Sequence, residues 1–424
     1  MSFIAECDVT LREDGRVDMQ CKIPTPDDVA DVSRIYQERH LVFARLTSQN
    51  GHRPWSMIAP RVYFSGMAGG TAGFRINPRP AEPITIKMAR DTSRQVEVHY
   101  GLSNFYFLGC EATSTDTGFK LDKFRASIGN FEMLFKWCED YDDVVSKLEE
   151  SGKVLLTSEL IVQTEVDRLE ELDRVVTDAL LLLSFATGSW VGIVYRDISD
   201  GHGLIESRFG SSKLLPYRHF DFVIDARNMK GCQLREYLER AYPAFLSTKG
   251  SLGMDIVLEW AVSAKLGSHL EIKYLITDLA LESLASRVPE YLYKEGVELE
   301  SGALNAARMK IARVLAQQKE ELPSAVIGEI ACAIAFKEVG LRDRLRALLQ
   351  HHRIAFQEDE LEFTQTRARL VHTGRFRDYE EAMNEYQRLT NFLNRILLSL
   401  LGCHGLLYFN VARGYVEEPV PSPL

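Results

Sequence analysis

The apolar pattern of this chain changes period along its length, and that change decides most of what the chain can fold into. Before about residue 125, short runs rich in β-branched and aromatic residues recur at 17–21, 61–64, 84–88 and 96–100. Clusters of Gly, Pro and Asn separate them, which predicts strands. Most connections are too short for crossover helices, so the sheet is expected to be antiparallel, with one helix over 26–36. From Leu252 onward apolar residues recur instead at steps of three and four. Leu304, Ala307, Ile311 and Val314 make one such stripe. Ala382, Tyr386, Leu389, Leu393, Ile396 and Leu400 make another, widened by Phe392 and Leu397. These are the inward faces of a helical bundle. Helices are predicted over 253–266, 269–287, 303–320, 324–338, 341–352, 360–373 and 379–402, with one sizeable break at 288–302. Asp378, followed three residues later by Glu381, is a capping-box-like start for the last of them.

The stretch between these two regimes is mixed. Helices are predicted over 130–148 and 167–187. The second carries Leu169, Leu172, Val176, Ala179, Leu180 and Leu183 at helical spacing and ends at Gly188. Strands are predicted over 160–164, 190–195 and 219–224. A chain of 424 residues exceeds one ordinary core. The expected fold class is therefore α+β and multidomain: a β-rich N-terminal domain at 1–125, a mixed α/β region at 126–250, an all-α helical bundle at 251–412 and a tail at 413–424. The closing Pro-rich stretch, 419–423, is expected to fray.

Several function classes are disfavoured. The net charge of -10 argues against non-specific binding to long duplex DNA, which needs a broad basic surface. The seven cysteines are odd in number, widely spaced and free of any C-x-x-C. A disulfide framework or thiolate zinc site is not expected, and a reducing, cytoplasmic setting fits. The first residues lack the basic-then-apolar pattern of a signal peptide. The longest apolar runs, 179–186 and 396–403, fall short of the roughly 20 residues that span a bilayer. The glycine-rich stretch 66–73 has neither a P-loop Gly-Lys-Ser/Thr nor G-x-G-x-x-G, and reads as a hairpin loop. No H-E-x-x-H or G-x-S-x-G occurs, and the adjacent His351 and His352 point about 100° apart on a helix, too far to share a metal ion. Neither a metal nor a cofactor is expected.

One chemical pattern remains, an arginine and a histidine separated by four residues. It occurs three times, as Arg94 with His99, Arg346 with His351, and Arg367 with His372. On a strand, the offset of the first pair puts its side chains on opposite faces. The second lies in a charged helix and reads as a solvated surface. The third has context: Leu370 and Val371 precede the histidine, Thr373 and Gly374 follow it, and a long capped helix comes next. Between residues 302 and 377 there are 13 Lys or Arg against 9 Asp or Glu, and Arg367, Arg369, Arg375 and Arg377 cluster around His372.

The stretch 366–375 resembles the R-x-x-x-x-H signature of HEPN domains, many of which are metal-independent ribonucleases, often written R-N-x-[IL]-V-H-x-G. The resemblance extends over about 253–410, and its specific part is those ten residues. It implies an endoribonuclease with Arg367 and His372 as catalytic residues, and Arg369, Arg375 and Arg377 as candidates to hold RNA. Five residues along a helix turn through about 140° net, so one helix makes half a site and a homodimer through the helical domain would complete it. HEPN nucleases as a family are dimers of this kind. The residue types suit the reaction. A histidine can move protons near neutral pH, and an arginine's forked donors can steady a phosphorane. The expected products are a 2′,3′-cyclic phosphate and a 5′-hydroxyl.

Two positions depart from the family pattern. Ala368 stands where a polar residue is common, which puts positioning of Arg367 or of the phosphate in question. Gly374 stands where toxins of this family that are controlled by nucleotidyltransferases often carry tyrosine. The β-rich portion upstream resembles, in architecture, ApeA-type anti-phage proteins, which join a sensor-like region to a C-terminal HEPN domain. The implied partners are RNA, tRNA among the candidates, and a phage-derived trigger or inhibitor protein. No membrane partner is expected. The other reading is a catalytically inactive HEPN scaffold that dimerises and binds RNA or a nucleotide.

Overall fold

Period-two alternation builds the first part of the chain and period-3.6 stripes the second, as a computed structural model describes. It describes residues 6–11, 17–23, 40–46, 55–70, 73–80, 84–88, 94–115, 118–138, 141–151, 154–209, 217, 222–226, 232–296, 340–414 and 416–423. The chain divides into two compact units, Met1–Tyr242 and Pro243–Leu424. The helices expected over 26–36, 303–320 and 324–338 lie outside the described residues.

In the first unit the strands are β1 (Glu6–Leu11), β2 (Val17–Ile23), β3 (His40–Leu46), β4 (Trp55–Gly70), β5 (Gly73–Pro80), β6 (Ile84–Met88), β7 (Gln95–Ser103), β8 (Glu111–Thr115), β9 (Gly118–Ile128) and β10 (Phe131–Trp137). After helix α1 (Tyr141–Ser151) come β11 (Leu156–Glu165), helix α2 (Leu169–Thr187), β12 (Gly192–Asp200) and β13 (Gly203–Phe209). They form one sheet in the order β1-β2-β5-β4-β6-β13-β12-β7-β11-β10-β9-β8, with β3 on β4. Every described pairing is antiparallel, as expected. The glycine-rich stretch belongs to a hairpin in which Gly70 faces Gly73 across β4 and β5.

Alternation sets the faces of the central strand. Val96, Val98, Tyr100 and Leu102 of β7 are buried. They share the core with Phe124 of β9, Met133 and Phe135 of β10, and Leu160 and Val162 of β11. Phe124 and Phe135 stack at 4.7 Å. Helix α2 is tied to this face by Tyr100, whose hydroxyl donates to Asp173 at 2.8 Å, and by Arg196, which meets Asp173 at 3.1 Å. Gly188 ends α2 with φ 71°, as its sequence indicates. On the opposite face of β7 the side chain of His99 lies between Glu159 (3.0 Å) and Glu97 (2.7 Å).

Three expectations change in this unit. Residues 131–137, expected within a helix, form β10, because Phe131, Met133 and Phe135 turn inward while Glu132 and Lys136 face out. The helix there is confined to α1. The strand expected at 219–224 is not formed by its described residues, 222–224; the Val223 and Ile224 amides instead donate to Ala186 O at the end of α2. Strand β13 lies in the mixed region, where no strand was expected over 203–209.

Helix α3 (Cys232–Leu252) contains the boundary between the units at Tyr242 and Pro243. The second unit continues with α4 (Met254–Leu266), α5 (Leu270–Lys294), α6 (Leu341–His351), α7 (Phe363–Thr373) and α8 (Tyr379–Leu400). The break expected from residue 288 begins later. Helix α5 runs on through Pro289 to Lys294, burying Val288, Tyr291 and Leu292 on the same face as Leu281 and Leu284. Leu345, Leu348 and Leu349 of α6 join Leu389, Leu393 and Ile396 of α8 among the buried residues. The C-terminal end is ordered rather than frayed. Leu407–Asn410 pairs with Val416–Pro419 as the β14–β15 hairpin, Val420 is 1% exposed, and its amide donates to Leu406 O at 2.8 Å. Among the described residues no helix is long and apolar enough to cross a membrane.

Candidate active site

Helix α7 carries both members of the third Arg–His pair. It begins after a 3-10 turn, Glu358–Glu362, whose Gln357 amide is capped by Glu360 at 2.8 Å. Phe363 and Leu370 fix its inner face. The Tyr274 hydroxyl of α5 donates to Phe363 O at 3.0 Å and pins the start of α7 to the bundle. The helix ends at Gly374, whose φ of 72° is left-handed and whose amide donates to Leu370 O at 2.7 Å. Only glycine takes that conformation without strain.

The two side chains of the pair have different surroundings. Arg367 turns back onto α5. Its Nε faces Asp278 Oδ2 at 2.7 Å, its Nη2 donates to Glu282 Oε2 at 3.0 Å, and its Nη1 meets Glu282 Oε1. Asp278 and Glu282 are one helical turn apart, so both carboxylates reach the same guanidinium. Asp278 is 1% exposed, and neither Oδ1 nor Oδ2 has a hydrogen-bond partner among the described residues, so its hold on Arg367 is an ion pair. Burial pushes its carboxyl up to about 7 against the pull of Arg367, with Glu282 adding to the rise. His372, on the last turn, is exposed and has no side-chain partner among the described residues.

The three arginines expected to hold RNA separate into two groups. Arg369 meets Glu381 Oε1 at 2.6 Å, and Arg377 reaches the same carboxylate at 3.1 Å. The Arg377 amide also donates to Glu381 at 2.9 Å. Its hydrogen bonds with Arg377, side chain first and backbone next, hold the Glu381 carboxyl down at about 2, and Arg369 adds to the effect. Asp378 caps α8 by accepting from the Glu381 amide at 2.8 Å. The capping box is therefore half made: Glu381 turns its carboxylate to the arginines. Arg375 is exposed and forms no ion pair among the described residues.

The two other Arg–His pairs are not brought together. Arg94 binds Glu165, while His99 is held by Glu159 and Glu97. Arg346 binds Glu358 and Asp343, while His351 packs edge-on to Tyr291. His352 stacks on Tyr291 and shares a 3.0 Å hydrogen bond with its hydroxyl. Burial pushes the His352 imidazole down to about 4. Among the described residues no group of three or more His, Cys, Asp or Glu is placed to hold a metal ion.

Sequence reasoning missed Asp278, Glu282 and Glu381 as members of this neighbourhood. For Asp278 one signal was present: an acid within the apolar run Ile276-Thr277-Asp278-Leu279-Ala280-Leu281. An acid there must be paired or neutral. Compared with known proteins, the chain has no match among family models, curated proteins or solved structures.

Proposed function

We propose that this chain is a metal-independent endoribonuclease of the HEPN type, with Arg367 and His372 as its catalytic residues and a second copy of the chain completing the site. One observation carries the reading. A single helix ending at a left-handed glycine turns its arginine inward to a buried carboxylate and leaves its histidine exposed. The arginine is thus fixed from within the protomer, while the histidine is open to substrate and to a partner.

In the reaction, one copy of His372 takes the proton from an RNA 2′-hydroxyl. The 2′-oxygen forms a bond to the adjacent phosphorus, the bond from phosphorus to the 5′-oxygen breaks, and the second copy of His372 protonates that oxygen. Arg367 steadies the charge on the phosphorane oxygens. The products are a 2′,3′-cyclic phosphate and a 5′-hydroxyl. DNA lacks the 2′-hydroxyl and is not cut by this route. In this reading the upstream β-rich portion senses a trigger or keeps the nuclease silent, in a prokaryotic phage-defence or toxin setting.

One observation favours the second reading, an inactive scaffold that dimerises and binds RNA or a nucleotide: each of the three Arg367 guanidinium nitrogens faces a carboxylate oxygen of the protein itself. The test is incubation of the purified protein with total RNA in EDTA, followed by mapping of the ends. His372→Ala is the decisive variant, since its side chain is exposed and has no hydrogen-bond or ion-pair partner among the described residues. Arg367→Ala is run beside Asp278→Asn/Arg367→Ala, because the single change strands a buried carboxylate. Cutting with cyclic-phosphate ends that His372→Ala abolishes supports the enzyme. RNA binding without cutting supports the scaffold, and cleavage that persists in His372→Ala overturns the assignment.

A further inference from the structure

The two carboxylates on Arg367 are not equivalent. Asp278 is 1% exposed and takes the Nε side of the guanidinium; Glu282 is 32% exposed and takes both Nη groups. The pair of Nη donors is an edge that a phosphate would grip with two parallel hydrogen bonds. Glu282 therefore occupies an edge that an RNA phosphate could use. With Glu282 in place, a phosphate approaching Arg367 brings a second or third negative charge to a single positive one. Such like-charge crowding is unfavourable in a partly desolvated site. The cost of moving each acid also differs. The Glu282 side chain can rotate into water, whereas Asp278 is enclosed by the bundle and cannot leave its place.

Resting on the ribonuclease reading, we propose that Glu282 is a built-in competitor for the substrate phosphate, filling the open edge of Arg367 in the resting protein and swinging out when RNA binds, while Asp278 remains as the positioning residue that aims the guanidinium through Nε. Arg367 then exchanges one carboxylate for one phosphate without losing its orientation. The exchange keeps the resting site closed to weakly bound anions, and a multivalent RNA, gripped elsewhere as well, is what can displace Glu282.

The full-length chain, Glu282→Gln, Arg367→Ala and Glu282→Gln/Arg367→Ala are compared with two probes of one sequence. One is a 2′-O-methyl RNA oligonucleotide, which cannot be cut because its nucleophile is blocked; the other is the ordinary RNA. Replacing the competing charge by a neutral amide should tighten binding of the 2′-O-methyl probe about tenfold. The gain should vanish on the Arg367→Ala background, where there is no edge to compete for. Cleavage of ordinary RNA at sub-saturating concentration should rise in step. Unchanged or weaker binding in Glu282→Gln, or a gain that persists without Arg367, overturns the inference. So does a Glu282→Gln protein that binds more tightly but loses cleavage present in the wild type, since Glu282 would then belong to the chemistry. If neither protein cuts RNA and Glu282→Gln still binds more tightly, the ribonuclease reading fails and the competition stands. If the wild type cuts and binding does not tighten, the competition fails and the ribonuclease stands.

Discussion

Arg367 Nε faces Oδ2 of Asp278 at 2.7 Å, joining two residues 89 positions apart in the chain through a carboxylate that is 1% exposed. An ion pair with one partner so deeply buried is costly to form and costlier to break from one side. Arg367→Ala should therefore destabilise the protein by about 3 kcal/mol near pH 8, since the buried Asp278 carboxyl loses its only opposing pull and must take up a proton or stay buried as an unpaired charge. His372→Ala should stay within about 0.5 kcal/mol of wild type, as an exposed residue without partners among the described residues. Urea unfolding of both variants checks the contrast. Equal losses in the two would mean that the buried pair contributes nothing.

The Asp278 carboxyl also gives a pH dependence of defined sign. Its folded value, about 7, lies above the roughly 3.9 of an unfolded aspartate. The folded state therefore holds the proton more tightly, and the contribution is fully present below the unfolded value and lost as pH rises through 7. Wild-type urea midpoints should carry this falling component between pH 4 and pH 7. Asp278→Asn should lack it, and the difference between the two curves isolates it from other groups.

Which parts of this arrangement the sequence could disclose follows from the range of each interaction. Helix α8 was legible because its cap and stripe are local: Asp378 reaches Glu381, and Leu389, Leu393 and Ile396 repeat within one helix. Gly374 was legible as a helix end for the same reason. Strand β10 was not, because Leu134 lies between Met133 and Phe135 and gives Phe131-Glu132-Met133-Leu134-Phe135 apolar steps of both two and three. Only pairing with β9 and β11 decides between them. The apolar run around Asp278 marks a buried acid, but its pairing with Arg367 was not legible. The arginine arrives from 89 residues away, and nothing local encodes that encounter.

His99 offers a test in the first unit. Hydrogen bonds to Glu159, and then to Glu97, push its imidazole up to about 9 against the cost of burial. Its folded value exceeds the unfolded value of about 6.5, so the stabilisation is fully present below pH 6.5 and lost as pH rises through 9. Thermal unfolding of the wild type should move to lower temperature between pH 7 and pH 9.5. His99→Gln should start lower at pH 6 and lack this component of the change. Parallel curves for the two proteins would contradict the double carboxylate grip.

Gly374 sets where α7 stops, and so where His372 stands. A Cβ built on it meets nothing within 4 Å, so Gly374→Ala adds no clash. Its φ of 72° remains, and the left-handed conformation costs a non-glycine residue about 1 kcal/mol. Gly374→Ala should lose about that much in urea, and Gly374→Asn less, since asparagine tolerates this region. A Gly374→Ala protein as stable as wild type would mean that the left-handed turn is not kept in solution.

The C-terminal end gives the last test, because packing there overrules composition. Pro419, Pro421 and Pro423 suggest a loose tail, yet Val420 between the first two is 1% exposed. Its amide donates to Leu406 O at 2.8 Å, and its carbonyl accepts from the Gly405 amide at 2.9 Å. The His404 ring nitrogen Nδ1 lies 2.8 Å from Pro421 O. Prolines cannot donate, so they leave Val420 as the residue that can pair on both sides, and its side chain is buried. Burying a valine is worth about 2 kcal/mol. Ending the chain after Pro419 should lower stability by at least that, whereas ending it after Pro421 should cost little. Limited proteolysis and urea unfolding of the two truncations read the difference. Equal stability would mean that Val420 is not held in the core.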